Sequence, residues 1–162
     1  MQRLLAAATE TEHRSRREIQ LQWAIAVAIF LAAVWLYTRH HEFPFYYHPD
    51  EPTKVAQIRD GTRNFNHPLL LLNATDLARR LAGATADCQQ IVELGRWCSA
   101  LFAAAAAALF SWLGFNRFGV IGGVVSGFAI LIQRRLYEHA HFMKEDVALL
   151  AGIALTFVAI DA

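Results

Sequence analysis

Hydrophobic residues in this chain fall in long uninterrupted blocks rather than in short alternating runs. Four apolar blocks lie at 21–37, 97–115, 118–132 and 147–162. Blocks of this kind are typical of helices that cross a bilayer, which need about 20 apolar residues each. The last block is short for that purpose, so either the fourth helix is short or the chain is truncated, and we expect truncation. The pattern predicts an all-α fold: a polytopic membrane helical bundle with about four spans.

Polar segments separate these blocks and give the predicted topology. Three crossings place the loops 38–96 and 133–146 on one side of the membrane and the tail 1–20 on the other. Arginines cluster in the tail directly before the first span, and such clusters usually stay in the cytoplasm. We therefore predict a cytoplasmic basic tail at 1–20, a membrane domain at 21–162 and two extracytoplasmic loops.

The first loop has helical signals of its own. Either Asp50 or Glu51 could cap a short helix that has proline in its first turn and Gly61 near its end. On that helix Asp50, Lys54 and Gln57 would share one face. Residues 69–81 have leucines at helical spacing against charged positions, which predicts an amphipathic helix on the membrane surface.

Composition narrows the function classes only slightly. The formal net charge is +1, and no zinc-finger or RNA-binding signature is present, so we predict no nucleic-acid partner. The two cysteines are too few to define a disulfide framework.

The adjacent pair Asp50-Glu51 follows the first apolar block and is the leading candidate for chemistry. One interpretation is a helix cap, and the other is a general base or metal ligand at the membrane surface. The segment His141–Val147 precedes the fourth block and allows two interpretations as well. It could anchor the helix end at the interface, or form a second half-site that meets the Asp50-Glu51 pair.

Histidines and basic residues of the loops add two further candidates. All histidines except His13 lie in the two loops, and His139, His141 and Glu145 are the candidate ligands if a divalent cation is bound. Hydrogen bonding is the simpler role for them, so we predict no cofactor. The basic loop residues could be solvated, contact anionic lipids, or hold a lipid-linked phosphate. They are Lys54, Arg59, Arg63, Arg79, Arg80, Arg134 and Arg135.

Two motifs in this order resemble the N-terminal part of the integral-membrane GT-C glycosyltransferases. The resemblance is to the family 39-like group of protein O-mannosyltransferases and lipid A aminoarabinose transferases. The first motif runs from His48-Pro49-Asp50-Glu51 through Asn66-His67-Pro68-Leu69, after the first span. The second runs from His139-Ala140-His141 through Lys144-Glu145-Asp146 to Leu149, before the fourth.

The resemblance implies an inverting sugar transfer from a polyprenyl-phosphate donor to a hydroxyl of an acceptor protein or glycolipid. The setting would be a multi-pass protein of the bacterial inner membrane, with its site outside the cytoplasm. Asp50 would be the general base, supported by Glu51, and Asp146 would complete the catalytic set. Substrate binding would involve Lys54, Arg59, Arg63, His67 and Lys144. The alternative is a non-catalytic membrane module that binds an anionic lipid headgroup or assembles with a partner.

Overall fold

The computed structural model describes residues 16–63, 69–84 and 87–161. These residues form helices and no strand, which confirms the predicted all-α class. In chain order the helices are α1 (Arg16–Tyr37), α2 (Glu51–Arg59), α3 (Leu70–Leu81), α4 (Cys88–Leu131), α5 (Arg134–Ala140) and α6 (Glu145–Ile160).

Helix α4 is a helical hairpin rather than one straight rod. Gly119 interrupts it with φ 66° and ψ −156°, a conformation essentially restricted to glycine. The two legs then run side by side: the Ser111 hydroxyl donates to the Gly123 carbonyl at 2.8 Å. A Cβ on Gly114 would come within 2.4 Å of the Gly122 carbonyl oxygen, so small residues are required where the legs touch. The predicted second and third blocks are these two legs.

Polar contacts define the two ends of the helix assembly. At one end, Gln22 of α1 donates to the Asn116 side chain at 2.6 Å, and Asn116 donates to Asp161 at 2.8 Å. At the opposite end, the Tyr37 hydroxyl donates to the Leu131 carbonyl at 2.9 Å. The start of α1, the hairpin turn and the end of α6 therefore lie together. Both long polar segments lie at the other end.

Two helices, α1 and α4, are long and apolar enough to cross a membrane, judged by length and composition. Helix α6 has 16 residues. The helices also begin earlier than the apolar blocks do, because hydropathy does not report polar first turns. Helix α1 includes residues 16–20 of the predicted tail. Helix α4 begins at Cys88, where the Asp87 side chain caps it by accepting from the Gln90 amide at 3.0 Å.

The predicted first loop is largely helical, and its helices pack on the first turns of α4. Their shared core consists of buried side chains from all three helices: Val55, Ile58, Leu71, Leu72, Ile91 and Val92. Helix α3 forms where the sequence predicts it, and it exposes Leu70, Leu77 and Leu81 on the face opposite this core. The second polar segment, in which no helix was predicted, contains α5. The shared core also includes Met143 and Ala148, so it holds α2 close to the start of α6.

Candidate functional site

The two polar segments meet at one end of the helices, where α2 and α6 begin. Asp50 and Glu51 stand at the start of α2, and Met143 to Glu145 lead into α6. Three side chains of the first segment bind the second: Asp50, Glu51 and Lys54. The interpretation of a two-segment site predicted this meeting, although the chemical roles of these residues stay predictions.

Glu51 is fully buried and forms a bidentate ion pair with Arg96 of α4. The two nitrogen–oxygen distances are 2.9 Å and 2.6 Å, and neither side chain is exposed to solvent. Glu51 also accepts from the Met143 amide at 3.0 Å. A carboxylate with these three bonds and no solvent access cannot reach a substrate proton. The structure thus gives Glu51 a packing role, and its supporting role in catalysis stays a prediction.

Arg96 uses its remaining donors on the segment between α1 and α2. It donates to the carbonyls of His41 at 3.0 Å, Phe43 at 2.6 Å and Pro44 at 3.1 Å. The guanidinium fork thereby fixes the path of that segment as well as the start of α2. Sequence reasoning missed Arg96 as a functional residue. Its signal was a single arginine beside Trp97 at the edge of an apolar block.

Asp50 differs from Glu51 in its exposure to solvent and in its partners. It occupies the N-cap position of α2, yet its side chain makes no capping bond within the described segments. Its carboxylate is half exposed and pairs with the Lys144 ammonium. The hydrogen bond from Lys144 holds the pKa of Asp50 below its usual range, so the carboxylate is ionised at neutral pH. Asp50 is thus an accessible carboxylate that binds Lys144 and has the His48 ring nitrogen 3.9 Å away.

Lys54 is committed to the segment before α6. Its ammonium donates to the Met143 carbonyl at 2.5 Å and to the Glu145 carboxylate at 2.6 Å, and both side chains are largely buried. Two of its three N–H donors are thus used to position the second segment. The predicted phosphate-binding role of Lys54 stays a prediction.

A recess of about 210 Å³ opens beside these pairs. It is lined by Pro49, Asp50, Thr53, Lys54, Gln57, Leu72 and Glu145 and is called the Asp50 recess below. Asp50, Lys54 and Gln57 all line it, as expected from the shared helical face. Its lining combines an accessible carboxylate with hydroxyl and amide groups, a set that suits a polyhydroxylated ligand.

Asp146 does not line the Asp50 recess. It pairs with His139 at 3.4 Å and borders a different cavity, between α5 and α6. Successive residues in a helical turn point about 100° apart, so Glu145 and Asp146 must face different ways. Glu145 faces the recess and Asp146 does not, and the catalytic role of Asp146 stays a prediction.

The remaining predicted substrate ligands lie away from the recess or outside the described residues. Arg59 pairs with Asp60 at 2.9 Å on the exposed end of α2. Arg63 lies 3.7 Å from Asp76, which also binds Arg79 and Arg80. His67 lies outside the described residues. Among the described predicted ligands, Lys144 is the one that contacts Asp50 directly.

The candidate metal ligands do not converge. His141 contacts two backbone carbonyls, those of Tyr137 at 2.7 Å and Arg39 at 3.0 Å. His139 faces Asp146, and Glu145 faces Lys54. Across residues 16–63, 69–84 and 87–161, no three His, Cys, Asp or Glu side chains form a group that could hold a metal.

His41, whose backbone carbonyl accepts from Arg96, has an unusual side-chain environment. Its ring is buried, and neither ring nitrogen has a hydrogen-bond partner among the described residues. Burial, followed by the nearby His141, lowers the pKa of His41 to about 4. The ring is therefore neutral at physiological pH, 5.1 Å from that of His141.

Comparisons of the chain with protein-family models, curated proteins and solved structures give no match.

Proposed function

We propose that this protein is a multi-pass membrane glycosyltransferase that moves a sugar from a polyprenyl-phosphate donor to an acceptor hydroxyl. Four crossings would come from α1, the two legs of α4 and α6. The N-terminus would lie in the cytoplasm of a bacterial cell, and the Asp50 recess outside it. One observation supports this proposal most strongly. The Asp50 carboxylate is accessible, makes no helix-capping bond among the described residues, and lies where both polar segments meet.

In the proposed reaction Asp50 is the general base. Its carboxylate accepts the proton of the acceptor hydroxyl, whose oxygen attacks the anomeric carbon of the donor sugar. The bond from that carbon to the phosphate oxygen breaks, and polyprenyl phosphate leaves with the electron pair. Attack from the face opposite the leaving group inverts the anomeric configuration. The acceptor is a hydroxyl of a protein or glycolipid at the membrane surface.

Lys144 has a second part in this proposal. While it pairs with Asp50, the carboxylate is a weak base because its pKa is lowered. A donor phosphate entering the site would compete for the Lys144 ammonium, since a phosphate is the stronger anionic partner. Transfer of Lys144 from Asp50 to phosphate would strengthen the base and stabilise the leaving group at once.

The test is sugar transfer by the purified protein in nanodiscs, with a radiolabelled polyprenyl-phosphate sugar and a soluble acceptor. General-base catalysis contributes about 10²- to 10⁴-fold, so Asp50→Asn should lower kcat by at least about 10²-fold. Asp60→Asn is the matched control, because Asp60 is an exposed carboxylate at the other end of α2. It should change kcat by less than about twofold, since its partner is exposed as well.

Two results would overturn the proposal. One is undiminished transfer by Asp50→Asn, which would remove Asp50 from the base role. The other is the absence of transfer by the parent protein with every polyprenyl-phosphate sugar supplied.

A further inference from the structure

A second cavity, of about 400 Å³, lies between the end of α4, α5 and the start of α6. Four apolar and four polar side chains line it. The apolar side chains are Ile130, Leu136, Val147 and Leu150, and the polar ones are Gln133, Arg135, His139 and Asp146. The volume falls within the range of ordinary small-molecule sites. A cavity with these two kinds of lining suits an amphiphile.

Three polar side chains of the lining have identified contacts, and Arg135 has no ion-pair partner among the described residues. His139 and Asp146 face each other at 3.4 Å, and the Gln133 side chain caps α5 by accepting from the Leu136 amide at 2.5 Å. Arg134, next in sequence, pairs with Glu138 at 2.8 Å and does not line the cavity. Arg135 is exposed, and no carboxylate of the described segments lies within ion-pair distance of it. Arg135 therefore offers an anionic headgroup a cation that no carboxylate of the described segments binds.

The position of the cavity matches the edge of a bilayer. It lies where α4, one of the two membrane-length helices, ends. Large apolar side chains beside it are exposed: Ile132 just after α4, and Leu149 on α6. A chain entering between these helices would stay in contact with hydrocarbon, while its head would reach Arg135 at headgroup depth.

We propose that this cavity binds a single-chain anionic amphiphile, with the chain between α4 and α6 and a phosphate headgroup on Arg135. The inference does not rest on sugar transfer, because the cavity is separate from the Asp50 recess. The same chemistry could come from an isoprenoid phosphate or from an anionic membrane lipid with a saturated acyl chain. The headgroup contact is shared by both, and the chain distinguishes them.

Native mass spectrometry of the 162-residue chain, released from phosphatidylcholine nanodiscs, tests this binding directly. Dodecyl phosphate is the probe, and dodecyl phosphocholine, with the same chain and no net charge, is the reference. One dodecyl phosphate should remain bound per protein. Arg135→Gln should weaken its apparent affinity about tenfold, because a charge-assisted phosphate contact is lost. Arg134→Gln is the matched control and should leave it within about twofold.

The apolar part of the cavity has its own variants. Leu150→Phe and Ile130→Phe add volume at two different walls, and each should weaken dodecyl phosphate binding about tenfold or more if it retains the parent helix content. Farnesyl phosphate identifies the source: tighter binding than dodecyl phosphate supports an isoprenoid ligand, and equal binding supports a bulk anionic lipid. Equal weakening by Arg135→Gln and Arg134→Gln would overturn the proposal. So would equal retention of dodecyl phosphocholine, or unchanged binding in folded variants of both walls.

Discussion

Asp50 and Glu51 are neighbours in sequence and have opposite surroundings. Glu51 is 0% exposed and bound by Arg96 and a backbone amide, whereas Asp50 is 51% exposed and has Lys144 as its ion-pair partner. The helical turn that separates the two side chains by about 100° sends one into the core and the other to the recess. In this pair the carboxylate with three partners holds the structure together, and the other carboxylate stays accessible to solvent.

Lys54 and Glu145 form an intermediate case between these pairs. Their side chains are 9% and 11% exposed. Burial of a charge costs free energy that only its partner offsets, so the loss of one partner should destabilise the fold in the order of burial. The three ion pairs thus form a series of decreasing burial within one small region. Variants of each pair test whether the loss of stability follows burial.

The largest effect is expected for Arg96→Leu. It leaves the Glu51 carboxylate buried without a cation and frees three carbonyls of the segment before α2. We expect the free energy of unfolding to fall by about 3–5 kcal/mol, measured by titration with sodium dodecyl sulfate in mixed micelles. Arg134→Gln, at an exposed pair, should change it by less than about 0.5 kcal/mol. A similar change for both variants would break the comparison.

Lys54→Met should have the next largest effect. The variant keeps the apolar stem of the side chain but removes the ammonium from Glu145 and from the Met143 carbonyl. Glu145 retains the favourable field of the α6 N-terminus, so we expect a loss of about 2–3 kcal/mol in the same titration. The loss must lie below that of Arg96→Leu, and a larger one would contradict the order of burial.

His41, which lies next to Arg96, adds a pH dependence to the buried region. In the folded protein its pKa is about 4, and in the unfolded chain it is about 6.5, so the unfolded state binds more protons between these values. Its contribution to stability is complete above pH 6.5 and decreases as the pH falls toward 4. We expect a loss of about 2 kcal/mol between pH 7 and pH 5, from the 1.36 kcal/mol per pKa unit.

His41→Phe isolates that contribution. The variant should lack this part of the pH dependence in thermal unfolding, and at pH 7 it should be about as stable as the parent. It removes two buried nitrogens that have no hydrogen-bond partner among the described residues. An identical pH dependence in parent and variant would show that His41 titrates normally in the folded protein.

Asp50→Asn should have the smallest effect on stability. Its ion pair is half exposed, and such pairs contribute at most about 1 kcal/mol. Because the pKa of Asp50 is lowered, even this contribution should be present at neutral pH and disappear in acid, as the pH falls through the lowered pKa. A loss above about 2 kcal/mol in the detergent titration would place Asp50 with the structural residues.

The sequence predicted the features of this fold that depend on local pattern. The apolar blocks became helices, the break between the second and third blocks lies at Gly119, and Asp50, Lys54 and Gln57 line one recess. Hydropathy could not show where helices begin with polar turns, since the cap by Asp87 depends on one side-chain bond. It also missed α5, whose seven residues are too few to show a clear period.

The ion pairs of the site could not be predicted from local pattern. Glu51 and Arg96 are 45 residues apart, and Lys54 and Glu145 are 91 apart. Several cations of similar character were available to each carboxylate, and only the packing of α2 on α4 selects among them. Whether Glu145 or Asp146 lines the recess depends on the rotation of α6 about its axis, which two adjacent acidic residues in the sequence do not reveal.

The division of roles between Asp50 and Glu51 is tested most directly by sugar transfer and unfolding measured together on Asp50→Asn and Glu51→Gln. The account predicts that Asp50→Asn unfolds within about 1 kcal/mol of the parent while its kcat falls by about 10²-fold or more. Glu51→Gln should lose about 3–5 kcal/mol of stability, because it leaves Arg96 as an uncompensated buried charge. Full transfer activity in a folded Asp50→Asn protein would contradict the account.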